Sequence, residues 1–173
     1  MQTDHGPAPM QKRSFIDPHN IVYATIILLV SMDVLQYRDE EGDGVSLAEF
    51  LVLTIGPLVM VAVAHSFAGA IEIQVRQRRR LIASDYRNLS VTVLQYASVA
   101  VIPSVIAIGL SAGGQPAITA AVITEILGLI SLVLWGYYAG WTSGRGHAGR
   151  IGNALLYGFV GLVIIALELA ISH

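Results

Sequence analysis

The sequence predicts an all-α polytopic membrane protein, a bundle of five transmembrane helices with its amino terminus inside and its carboxyl terminus outside. Three observations carry this reading. The chain has 173 residues, of which 54% are hydrophobic and only 13% charged, with a mean hydropathy of +0.65; an average soluble domain carries about 25% charged residues. The charges are gathered into short runs that leave five long apolar stretches between them. The basic residues also alternate in place, crowding the same side of successive stretches, which is the asymmetry that orients helices in a bilayer.

The elements follow in order. Residues 1–20, MQTDHGPAPMQKRSFIDPHN, are polar and hold three prolines, so they read as a disordered cytoplasmic tail with too little apolar surface to offset chain entropy. The predicted spans are 21–37, 47–73, 89–112, 117–141 and 151–172. A hydrocarbon core takes about 20 helical residues; the first stretch is the shortest and the other four suffice. A barrel is excluded, because its strands alternate apolar and polar residues and VIIALELAI does not. Lys12 and Arg13 precede the first stretch as a signal peptide's charged region would, but the QYRDEEGDG that follows offers no small-x-small cleavage site. The first stretch is therefore read as an uncleaved helix.

Nine of the ten basic residues fall on one side of this arrangement: Lys12, Arg13, Arg76, Arg78, Arg79, Arg80, Arg87, Arg145 and Arg150. Only Arg38 falls on the other, with DEEGD and SAGGQP. The segment 21–173 is thus one domain with little soluble mass, and the link RQRRRLIASDYRN reads as an extension of the second helix into the cytoplasm. Arg76, Arg78, Arg79 and Arg80 are candidates for contact with anionic lipid headgroups, each worth about 1 kcal/mol. Nucleic acid is not an expected partner for so short a cluster against a membrane.

Ionisable groups inside a span are costly, so each is a functional candidate. Asp33, Glu49, Glu125 and Glu168 share the outer half, and Glu125 lies roughly 12 Å in from its helix end at 1.5 Å per residue. His65 lies roughly as deep from the inner end of the second helix, level with Tyr96 on the third, so a His65–Tyr96 hydrogen bond is expected. Together Asp33, Glu125, His65, Tyr96 and Glu168 could form a proton or cation pathway, histidine titrating near neutrality. The plainer reading has His65 neutral and bonded across a helix interface. No second ligand stands at the depth of His65, so no metal is assigned, and no cofactor is expected. Cysteine is absent, which removes disulfides, thiolate ligands and cysteine nucleophiles. No catalytic motif is present and no enzyme is expected; Ser66 points about 100° away from His65 on a helix and makes no dyad with it.

The stretch DEEGDGVSLAEF, residues 39–50, resembles an EF-hand calcium loop with one residue missing. Asp39, Glu41, Asp43 and Glu49 match its acids, but Glu49 stands eleventh where the bidentate ligand of a full loop is twelfth. A solvated acidic turn is the alternative. Gly128, Gly136, Gly140 and Gly144 form a small-residue stripe, and Ala154 and Gly158 repeat the four-residue step, so the fourth and fifth helices are expected to be a tight antiparallel pair. Pro57 and Pro103 are expected to kink their helices. Five spans are few for a complete transporter, so a homo-oligomer or a membrane-protein partner is expected.

GYYAGWTSGRGHAGRIGNALLYGFVGLVIIALELAISH, together with VAHSFA in the second helix, resembles a group of small integral membrane proteins of actinobacteria, over most of residues 16–173. The resemblance implies a bacterial plasma-membrane address and no particular reaction. This chain departs from it at Glu168, where many relatives carry lysine. The function expected is that of a structural or accessory membrane subunit, with the small proton or cation channel as the alternative.

Overall fold

The computed structural model describes residues 17–40 and 44–172, apart from the side chains of Glu40, Glu168, Leu169, Ile171 and Ser172. These residues form five helices: α1 Pro18–Glu40, α2 Leu47–Gln77, α3 Ala83–Ala112, α4 Ala117–Thr142 and α5 His147–Ser172. All five are long and apolar enough to cross a membrane. The helix begins at Pro18, so residues 18–20 belong to α1 rather than to the tail expected there; the rest of that tail, 1–16, lies outside the described residues.

Local chemistry fixes where the helices start and stop. Asp17 accepts a hydrogen bond from the backbone N–H of His19 at 3.0 Å, and Pro18 takes the first helical position, where its missing N–H costs nothing. Ser46 and Glu49 close a reciprocal capping box at the start of α2, satisfying two backbone donors that the helix itself cannot. The turns after α3 and α4 use Gly114 and Gly144 at φ 76° and 70°, a left-handed backbone that glycine adopts without penalty.

The helices pack as two antiparallel hairpins, α2 with α3 and α4 with α5, around α1, which touches all four. The face of α1 that reads Ala24, Leu28, Leu29, Met32 and Leu35 is buried; the steps of three and four place these residues on one stripe. At one end Met32 and Leu35 meet Phe50 of α2, Ala107 of α3 and Ala117, Ala120 and Ala121 of α4. At the other end Ala24 meets Leu58, Ala62, Tyr96 and Ala100. Helices α2 and α3 continue without interruption through Pro57 and Pro103.

Glycines set the closest approaches. A Cβ built on Gly136 would lie 2.7 Å from the Asn153 carbonyl oxygen and 3.0 Å from the Ala154 Cα, and one on Gly140 would lie 2.8 Å from the Arg150 Cα. These two residues let the α4 and α5 backbones touch. Gly128 does something else: it receives Leu29 of α1, whose Cδ2 would be 2.7 Å from an added Cβ. Gly144 lies in the turn with nothing within 4 Å. The stripe read along α4 is therefore divided among two partner helices and a turn, because its members are spaced over more than three helical turns and α1 and α5 approach α4 at different heights.

Candidate functional site

Buried hydroxyls such as Thr25, Ser31, Thr54 and Thr124 lie along the bundle, while the ionisable candidates fall toward its two ends. At the end where α1 stops and α2 starts, Gln36 donates from Nε2 to Glu125 Oε2 at 2.6 Å, joining α1 to α4. Asp33, one turn earlier on α1, is half-buried. Glu168 lies on α5, and its side chain is outside the described residues.

The acidic link between α1 and α2 is shorter than its calcium-loop resemblance suggests. Asp39 is still helical, and its carboxylate accepts from the Val45 backbone N–H at 3.4 Å. Glu41 and Asp43 lie outside the described residues. Glu49, the candidate closing ligand, has both oxygens engaged. Oε2 accepts from the Ser46 backbone and hydroxyl at 3.1 and 3.0 Å, and Oε1 meets Arg38 Nη1 at 3.3 Å. Calcium at Glu49 would have to displace the helix cap and the guanidinium together. Titration calorimetry on the purified protein is expected to give no saturable calcium binding up to millimolar concentration, and a saturable curve abolished by Glu49→Gln would contradict this. Among the described residues no three His, Asp or Glu gather as a metal site would require.

The opposite end carries the basic residues. His65 is exposed and lines a groove of about 510 Å³ between α2 and α3, with Glu72 and Arg76 on its own helix and Asp85, Asn88 and Thr92 across from it. The steps 65, 72, 76 and 85, 88, 92 each follow one helix face, so two polar stripes meet. Ser66 hydrogen-bonds the Leu89 carbonyl at 3.5 Å, and Gly69 lets Leu89 come close, 3.3 Å from where a Cβ would be.

The expected His65–Tyr96 hydrogen bond is not formed. The two rings lie 6.2 Å apart with a 44° tilt, and the buried Tyr96 hydroxyl has no hydrogen-bond partner. The levels match, but the azimuths do not: His65 looks out into the groove while Tyr96 is fully buried and meets Tyr23 of α1 edge-on at 6.4 Å. Glu125 does not line the groove that His65 lines.

The four candidate headgroup arginines are not equivalent. Arg76 bonds Glu72 one turn back at 2.7 Å. Arg79 forks onto Asp85, Nη1 to Oδ2 at 2.5 Å and Nη2 to Oδ1 at 3.0 Å, and its Nε donates to Gln77 at 2.7 Å. The Asp85 carboxylate beside it raises the Arg79 pKa above its ordinary value. That side chain is therefore an internal brace rather than a free headgroup ligand. Arg78 and Arg80 are exposed.

Among the contacts not foreseen from sequence, two join neighbouring helices through side-chain amides. One is Gln36 as the partner of Glu125. The other is Asn20, which donates to Gln95 at 2.7 Å, both residues being about 5–6% exposed. Neutral amides carry no charge signal, and the available clue was positional: Asn20, Ala24 and Leu28 share one face of α1. Comparisons of the chain with protein-family models, curated proteins and solved structures return no match.

Proposed function

We propose that the chain is a multi-pass protein of a bacterial plasma membrane, amino terminus in and carboxyl terminus out, serving as a structural or accessory subunit that self-associates or packs with a membrane partner. The resemblance to small actinobacterial membrane proteins supports the address. The end that gathers Arg76, Arg78, Arg79, Arg80, Arg87, Arg145 and Arg150 is the cytoplasmic one by the positive-inside rule. The observation that carries the accessory reading is the pairing of polar side chains across helix contacts. Gln36 with Glu125 and Asn20 with Gln95 tie α1 to its neighbours, which is the role polar groups play in holding bundles together.

The alternative, a small proton or cation pathway, needs Glu125 and His65 on one wetted route. Glu125 is bonded to Gln36 near one end and His65 opens onto the α2–α3 groove near the other, so the two favour separate roles. Proteoliposomes carrying the wild type, Glu125→Gln or His65→Ala are expected to pass protons and cations at the rate of empty liposomes. Flux above that level in the wild type, lost in either variant, would establish the pathway instead.

A further inference from the structure

The turn between α2 and α3 has features that an orientation signal does not require. Arg78 ends α2 at φ 47° and ψ 36°, the left-handed region that favours glycine, and among the described residues it is the one non-glycine there. Arg79 is held by Asp85, by Gln77 and by the Arg80 carbonyl at 3.2 Å. Asp85, only 6% exposed, also accepts from the Ile82 backbone at 2.9 Å. The turn is thus a braced loop, and the brace consumes the nearby carboxylate. Five arginines face two carboxylates between residues 72 and 87, an excess of three positive charges. Glu72 and Asp85 are taken by Arg76 and Arg79. Arg78 and Arg80 stand exposed without an acidic partner among the described residues, and with Gln74, Leu81 and Tyr86 they line a recess of about 570 Å³.

We infer that this recess binds the phosphodiester headgroup of an anionic phospholipid, with Arg78 and Arg80 as the ligands and Arg79 as the positioning residue. Arginine suits the task because its planar fork matches two phosphate oxygens. The surroundings favour a lipid over a dissolved phosphate. Tyr86, which lines the recess, is 59% exposed, and Ile82, next to Leu81 in the chain, is 54% exposed; apolar and aromatic groups among cations mark a surface that sits in the headgroup layer. The reach is also right. With 31 residues α2 is about 46 Å long, close to a bilayer with its headgroup layers at about 40–45 Å, which brings its arginine-bearing end to the headgroups. The inference rests on the membrane reading above, but not on whether the chain is an accessory subunit or a pathway.

Native mass spectrometry of the protein with phosphatidylglycerol or phosphatidylcholine tests it. The wild type is expected to retain phosphatidylglycerol in preference to phosphatidylcholine, and Arg78→Gln with Arg80→Gln to weaken that retention about fivefold for each guanidinium removed. The charge-matched pair Arg87→Gln with Arg145→Gln is expected to keep it. Arg78→Gly separates binding from folding: glycine suits the left-handed backbone, so thermal stability is held or raised while phosphatidylglycerol retention falls about fivefold. Three results would each overturn the proposal: equal retention of both lipids, an equal loss in the charge-matched pair, or displacement of phosphatidylglycerol by inorganic phosphate, which would make the recess a site for a soluble anion. None of these outcomes bears on the flux measurement, so the two readings fail independently.

Discussion

Replacing Gly136 by valine is expected to separate α5 from α4 and to cost about 3 kcal/mol, the upper part of the usual range for forcing volume into a packed interface. The obstacle is backbone. The new Cβ alone would meet the Asn153 carbonyl oxygen at 2.7 Å and the Ala154 Cα at 3.0 Å, and neither can move without moving α5. Gly140→Val meets the Arg150 Cα at 2.8 Å and is expected to behave alike. Two internal controls make the result specific. Gly152→Ala on α5 has nothing within 4 Å of the added carbon, so it is expected to be neutral or to stabilise by up to about 1 kcal/mol through helix propensity. Gly158→Ala meets one side-chain atom, Val133 Cγ2 at 2.9 Å, and no backbone, so its cost is expected to lie between those of Gly152→Ala and Gly136→Val. Unfolding in mixed micelles, followed by the fluorescence of the chain's two tryptophans, reads this directly, since Trp135 and Trp141 both lie on α4. A Gly136→Val variant as stable as the wild type would mean that the α4–α5 contact is not as close as described.

The contrast among these glycines shows what the sequence could and could not reveal. Spacing alone placed Gly128, Gly136 and Gly140 on one strip of α4, and they are all buried. It could not say that Gly128 accepts Leu29 from α1 while the other two accept α5, because a helical period reports a face and not the identity of the neighbour. Helix bounds show a similar division. The starts of α2 and α4 agree with the apolar stretches at 47 and 117; the link expected to extend α2 does so only to Gln77, where the left-handed Arg78 ends the helix, and α3 takes its latter part from Ala83 rather than 89. Both differences fall in the polar link, outside the apolar stretches. Hydropathy marks where the solvent changes, whereas the helix ends are set by local backbone chemistry: the left-handed Arg78 stops α2, and Asp85, accepting from the Ile82 backbone, starts α3. His65 and Tyr96 are a third case: counting residues at 1.5 Å gave the right level, and the rings are neighbours at 6.2 Å. Their rotation about the helix axes, set by how α2 and α3 pack, decides that no hydrogen bond forms.

The Gln36–Glu125 bond is where the accessory reading can be measured as energy. Glu125→Leu leaves the Gln36 amide half-buried with no carboxyl to receive it, and Gln36→Leu leaves the carboxyl without its amide. Each single change is expected to cost about 1–2 kcal/mol, the usual penalty for a stranded buried polar group. The double variant removes both groups at once and is expected to cost less than the sum, giving a coupling of about 0.6–1.7 kcal/mol as for other hydrogen bonds between membrane helices. Glu125→Gln keeps an acceptor for the Gln36 amide and is expected to lie close to the wild type. This last variant carries the distinction: a carboxyl kept for carrying ions cannot be replaced by an amide without loss, whereas one kept as an acceptor can. If Glu125→Gln is stable and flux remains at the empty-liposome level, Glu125 is a tie between α1 and α4. If the coupling is zero, the bond contributes nothing to the bundle, and the support it lends to the accessory reading falls with it.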